Sequence, residues 1–198
     1  MGRKSLKDLR QQEIISTFYQ VAKKIGYEHT SIAKVAKAMD INPSLIIHYF
    51  ATKEDLKMAL IDYILERYLL IYKQGETKKK GVERLKLIVD RLFSKKWNTL
   101  FDDGLFYSFY AASFREAKIK EKYKTILDSL RDELRKVLEE LNSDGSTNIA
   151  DISRTADMVF ILLDGAYFYL SLVDNKSIFQ EKLALYKKEA YVLLGINA

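Results

Sequence analysis

Residues 30–53, TSIAKVAKAMDINPSLIIHYFATK, constrain the fold of this chain more than any other stretch. They read as a helix, a tight turn, a shorter second helix and the cap of a third. Thr30 or Ser31 can cap the first helix, whose inner face is Ile32, Val35, Ala36 and Met39. Ala33 and Ala36 are small and let a crossing helix approach closely. Asp40-Ile41-Asn42 makes the turn. Asn42 is a good N-cap, and Pro43 follows at the first helical position, where its missing N–H costs nothing. The short helix runs to about Phe50, and Thr52 caps the next one.

Helical periodicity continues on both sides. Leu9, Ile14, Ile15, Phe18, Val21, Ala22 and Ile25 recur at spacings of three and four, so residues 8–25 form an amphipathic helix. Gly26 stands where a left-handed cap belongs, and Tyr27 anchors the loop. Lys53 opens a long helix with Glu54 and Asp55 in its first turn, where they favour the helix dipole. Further helices are expected over 82–96, within the aromatic block 97–114, and over 118–141, 149–173 and 177–194. Residues 149–173 are apolar nearly all round, which predicts burial on several sides. Ser177 and Gln180 have capping-box spacing for the last helix. With only 8 Gly and 1 Pro, strand and turn signals are few, and an all-α chain of about nine helices is expected. The organisation expected is a three-helix domain over 1–55 and a larger helical domain over 56–198.

Several function classes drop out. There is no Cys, so disulfides, thiolate zinc sites and Cys nucleophiles are excluded. The two histidines, His29 and His48, fall in separate elements, so no metal site is expected, and no cofactor. His48 has Ser44 one turn earlier but no carboxylate in its helix, which argues against catalysis. The first residues are polar and charged rather than a signal peptide, and a cytoplasmic protein is expected. The most apolar run, 158–173, falls short of the ~20 residues a membrane span needs and contains Asp164. The net charge is +6. Residues 1–60 contain ten Lys/Arg against six Asp/Glu, and the rest is near neutral, so a polyanion partner is indicated.

The short helix suits that partner. Ile46 and Phe50 are four apart and apolar, so they face the core. Ser44, Ile47 and His48 then point away. Pro43, Ser44 and Leu45 lie at the end that reaches base edges in helix-turn-helix docking. Tyr49 borders the two faces and can offer its hydroxyl to a phosphate. Thr30, Ser31, Thr52 and Lys53 lie at helix starts, where N–H groups, hydroxyls and an ammonium can hold phosphate oxygens. Lys34 and Asn42 complete the candidate DNA-binding set.

Taken in order, Gly26-Tyr27, Thr30-Ser31-Ile32, Val35-Ala36, Ile41-Asn42, the run Leu45 to Phe50, and Thr52-Lys53-Glu54-Asp55-Leu56 resemble the DNA-binding domain of the tetracycline-repressor (TetR) family of bacterial regulators. The match runs without a gap over residues 9–57. The resemblance implies a two-fold dimer through the last two helices, a palindromic double-stranded DNA operator, usually a repressor role, and a pocket for a small apolar or amphipathic effector in the second domain. Three positions depart from the family pattern. Asp40 stands where the turn usually has Gly, which implies strain. Pro43-Ser44 replaces a basic-Gly pair. Ile47 takes a place often held by a phosphate-binding Tyr; it can touch a thymine methyl or pack on its neighbours.

The aromatic block offers a candidate pocket lining: Trp97, Phe101, Phe106, Tyr107, Tyr110 and Phe114, with Asp164 and Phe168 from the apolar helix. Each could equally be core. Two other functional readings remain: a helix-turn-helix regulator whose second domain has no pocket, and an unrelated helical enzyme or scaffold.

Overall fold

The computed structural model describes residues 5–73, 79–94 and 103–196, apart from the side chains at 68, 70–73 and 103. Among the described residues there are nine helices and no strand: α1 (Leu6–Ile25), α2 (Ile32–Met39), α3 (Pro43–Tyr49), α4 (Lys53–Lys73), α5 (Gly81–Leu92), α6 (Asp103–Ser113), α7 (Ala117–Ser143), α8 (Ile152–Leu170) and α9 (Lys176–Leu193). They cluster as two units, Met1–Glu66 with Asp102–Thr125, and Arg67–Phe101 with Ile126–Ala198. α4 and α7 each contribute residues to both.

In the first unit the starts of α1 to α4 are closed by side chains. Ser5 and Asp8 form a reciprocal capping box at α1, each accepting the other's backbone N–H at 3.1 Å. Thr52 and Asp55 do the same for α4 at 3.0 Å. Such caps satisfy N–H groups that a helix leaves without partners. Gly26 ends α1 at φ 85, a conformation that suits glycine. Ile14, Phe18 and Ala22 of α1, Val35 and Ala36 of α2, Ile46 of α3 and Leu56, Leu60 and Ile61 of α4 form the core. Ala36 is buried as expected of a helix crossing, whereas Ala33 faces solvent. Burying each large apolar side chain contributes roughly 1.5–3 kcal/mol.

The second unit packs α9 against α8 and α5. Leu130, Leu134, Val137, Leu138 and Leu141 of α7 meet a core that includes Val159, Phe160 and Leu163 of α8. The Tyr167 hydroxyl donates to the Leu92 carbonyl at 2.8 Å, which satisfies a polar group that burial would otherwise penalise. The Tyr191 hydroxyl and the Lys187 ammonium both donate to Asp90 of α5, at 2.8 and 3.1 Å.

Two helix starts and one burial pattern are among the differences from the sequence expectation. α8 starts at Ile152, because the Asp151 carboxylate caps the Arg154 N–H and the Asn142 side chain holds the preceding loop at Thr147 and Ile149. α9 starts at Lys176, because Asn175 accepts from the N–H groups of Ser177 and Ile178. Asn175 is therefore the cap, and Ser177 lies inside the helix. α8 is not buried on every side: Met158, Ile161, Phe168 and Tyr169 are exposed, as is Leu172 beyond its end. No helix among the described residues is long and apolar enough to cross a membrane.

Candidate nucleic-acid interface

The turn between α2 and α3 sets the geometry of the site. α2 is capped at its start by Ser31, whose hydroxyl accepts the Lys34 N–H at 3.3 Å. It ends on Asp40 at φ 54 and ψ 45, the one described non-glycine residue with positive φ. The Ile41 N–H then reaches back to the Ala36 carbonyl at 3.0 Å, closing the helix end. Asn42 follows in extended conformation. Its Oδ1 accepts from both the N–H and the hydroxyl of Ser44, at 2.9 and 2.8 Å. Pro43 occupies the first position of α3.

α3 is fixed by its inner face. Ile46 is fully buried and Phe50 nearly so, and the Gln11 amide of α1 donates to the Tyr49 carbonyl at 3.2 Å. The opposite face is open. Pro43, Ser44 and His48 are exposed, and Ile47 keeps 51% of its surface in solvent. Leu45 and Tyr49 are half-buried at its borders, and the His48 and Tyr49 rings meet edge to face at 5.2 Å. An exposed face with no ionisable side chain except an imidazole lies between two helix starts, those of α2 and α4. Lys34, Thr52 and Lys53 stand exposed there. The Lys34 ammonium donates to the His29 carbonyl at 2.8 Å, which holds it beside the start of α2.

Thr30 differs from its neighbours. It is 1% exposed, and its hydroxyl donates to the Gly26 carbonyl at 2.8 Å. Its hydroxyl is spent inside the domain, bracing the α1–α2 turn.

The structure adds a residue that the sequence reading passes over. Lys57 is a buried ammonium, paired with Glu54 at 3.2 Å and hydrogen-bonded to Glu116 at the start of α7. Burial would lower its pKa, but the two carboxylates outweigh that and hold it above the usual lysine value. Burial also lifts the neighbouring Tyr27 phenol to about 12, against the opposing pull of Lys57. The Tyr27 ring packs on Phe109 of α6 at 4.8 Å. A signal existed: Lys57 shares a helical stripe with the buried Ile61 and Ile64, so it could only be buried with partners.

The candidate pocket residues divide between the units. Phe106 and Tyr110 lie beside Tyr123 at 5.0 and 5.7 Å, Tyr107 beside Phe106 at 5.6 Å and Phe114 beside Tyr110 at 5.0 Å, all in the first unit. Asp164 and Phe168 belong to the second, where Asp164 accepts from Arg131 at 3.4 Å and Phe168 is exposed. Trp97 and Phe101 lie outside the described residues.

Comparison with known proteins decides the family. A family model described as "Tetracyclin repressor-like, C-terminal domain" matches residues 80–196, and one described as "Bacterial regulatory proteins, tetR family" matches residues 14–60. The chain belongs to the TetR family. Solved TetR structures share its fold across nearly the whole length. A TetR transcription regulator from Haloarcula marismortui is 20% identical with a TM-score of 0.79, covering 95% of this chain and 97% of its own. A TetR-family regulator from Cytophaga hutchinsonii is 16% identical with a TM-score of 0.79, covering 100% and 99%. The fatty acid degradation regulator FadR from Bacillus halodurans is 24% identical with a TM-score of 0.67, covering 98% and 97%. No curated protein matches the sequence. The fold is that of a DNA-binding transcription regulator, built around the TetR helix-turn-helix.

Proposed function

We propose that this TetR-family chain is a dimeric repressor that binds a palindromic operator through α3 and leaves it when a small apolar or amphipathic effector binds. The DNA-reading part is residues 1–55 and the effector and dimerisation part residues 56–198. The observation that carries the reading is the open face of α3. Ser44, Ile47 and His48 are exposed on a helix whose other side is locked by Ile46 and Phe50. Bases would be read by hydrogen bonds and methyl contacts, while Ser31, Lys34, Thr52 and Lys53 would hold phosphates.

Dimerisation is supported by apolar side chains that one chain leaves open. On α9, Ile178, Leu185 and Val192 are exposed at intervals of seven, one stripe along the helix. On α8, Ile161 and Phe168 are exposed at the same interval. A second copy that packs the two helices against their equivalents would bury both stripes; exposed apolar patches of this kind mark interfaces. Two reading helices would then meet half-sites about 34–36 Å apart, one turn of DNA.

Footprinting on the DNA upstream of the gene, with sedimentation of the free protein, tests this. A dimer protecting two symmetric half-sites is expected. A monomer, or protection of one isolated site, would contradict the reading.

A further inference from the structure

A recess of about 890 Å³ opens in the second unit, between the start of α5, the loop before α8 and the end of α9. Its volume is in the range of small-molecule sites. Ile149, Met158, Leu194 and Ile196 supply apolar lining. Lys86 and Arg154 also line it, and among the described residues neither makes an ion pair. The one carboxylate of the lining, Asp151, is committed to the Arg154 N–H at the start of α8. That carboxylate is turned to the helix start, and two cationic side chains stand against it in the lining.

The walls are set before any ligand arrives. The Asn142 side chain holds Thr147 and Ile149 through three hydrogen bonds of 2.7 to 3.0 Å, and Asp144 accepts the Ser146 N–H at 2.9 Å. Gly81, at φ 57, lies so close that a Cβ there would meet the Ser146 hydroxyl at 2.9 Å. A preorganised wall spares a ligand the cost of ordering it.

We propose that this recess binds an amphipathic anion, its sulfonate, carboxylate or phosphate group between Lys86 and Arg154 and its apolar body on Ile149, Met158, Leu194 and Ile196. Two cations against one carboxylate, beside an apolar floor, select for that combination: a neutral apolar molecule leaves the excess positive charge unanswered, and a small inorganic anion leaves the floor uncovered. The inference goes beyond the repressor reading and concerns the DNA-free protein.

The test uses two fluorescent probes that differ by one charged group, 8-anilinonaphthalene-1-sulfonate and N-phenyl-1-naphthylamine, titrated into the DNA-free full chain. The sulfonate is expected to bind about tenfold tighter than the neutral probe, the scale of a hydrogen bond to a charged group. In Lys86→Gln/Arg154→Gln the two probes should bind alike. In Lys118→Gln/Lys120→Gln, which removes equal charge from the exposed side of α7, the preference should persist. Equal binding of both probes to the wild type, a preference that survives in the first variant, or one that disappears in the second would overturn the proposal. Operator binding plays no part in these readings, so failure here and failure of the repressor reading are separate results.

Discussion

The Lys57 ammonium, with only 7% of its residue surface open, donates to the Glu116 carboxylate and so ties the first turns of α4 to the start of α7. Lys122 of α7 donates to Asp62 of α4 and repeats the tie further along both helices. α4 carries the Thr52–Asp55 cap directly after α3, so these pairs fix the frame on which α3 stands.

Removing one partner of this pair is expected to cost more than removing the charge itself. Glu116→Ala leaves a buried ammonium with Glu54 as its remaining carboxylate and should lower unfolding free energy by about 1–3 kcal/mol. Lys57→Met keeps the volume and removes the charge, so its cost should stay within about 1 kcal/mol. Urea unfolding of the two variants checks the order. A larger loss in Lys57→Met would show that the charge is net stabilising.

Asp40 holds a left-handed backbone at φ 54 that glycine adopts without Cβ strain. Asp40→Gly should therefore raise stability by about 0.5–1 kcal/mol, and Asp40→Ala should lower it by a similar amount. Thermal unfolding of both variants measures this. A lower midpoint for the glycine variant would mean that the aspartate side chain stabilises the turn by more than its backbone strain costs.

Asp164 predicts a pH dependence. Burial raises its pKa from 3.8 to about 6, against the opposing pull of Arg131, while 45% of its side-chain surface stays open and water tempers the effect. A carboxyl raised in the folded state holds its proton more tightly there than in the unfolded chain. Stability linked to this group is therefore greatest below pH 3.8 and falls as pH rises toward about 6. Asp164→Asn should remove that slope. Melting temperatures of wild type and variant across this window should diverge, with the wild type losing relative stability as pH rises. Parallel profiles would refute the assignment.

How much of this was legible in sequence follows from the range of each signal. The α2–α3 unit is legible because its determinants are local: Ser31, Asn42 and Pro43 act within three residues of themselves. Asp40 could be flagged as strained for the same reason. At α9 the sequence points to Ser177 through its spacing to Gln180, whereas Asn175, two residues earlier, is the cap, and short-range pattern alone does not rank the two. The open face of α8 is illegible because apolar periodicity shows what must be covered and not whether the covering comes from the same chain. Thr30 looks like any helix-start hydroxyl until the fold turns it toward Gly26. The aromatic block offers only composition, and the fold assigns Phe106 and Tyr110 to the neighbourhood of Tyr123.

Phosphate and base contacts should separate by mutation. Lys53→Ala should weaken binding to all DNA sequences alike and reduce the salt slope by about one, because a phosphate contact carries no sequence information. Ser44→Ala should instead alter which operator is preferred. Binding selections from a randomised duplex pool distinguish the two. Equal losses on cognate and scrambled DNA for the Ser44 variant would count against base reading there.

The most direct test of α3 as the DNA-reading surface is an anisotropy titration of DNA from upstream of the gene with wild type and Ile47→Glu at several salt concentrations. Ile47 is half-exposed, so the substitution should leave the melting temperature unchanged while placing a carboxylate against the duplex. Salt-sensitive binding by the wild type is expected, with a loss of about 100-fold or more in the variant, as for like charges brought together. Binding by Ile47→Glu as tight as wild type, or no salt-sensitive binding by the wild type to any upstream fragment, would contradict this expectation.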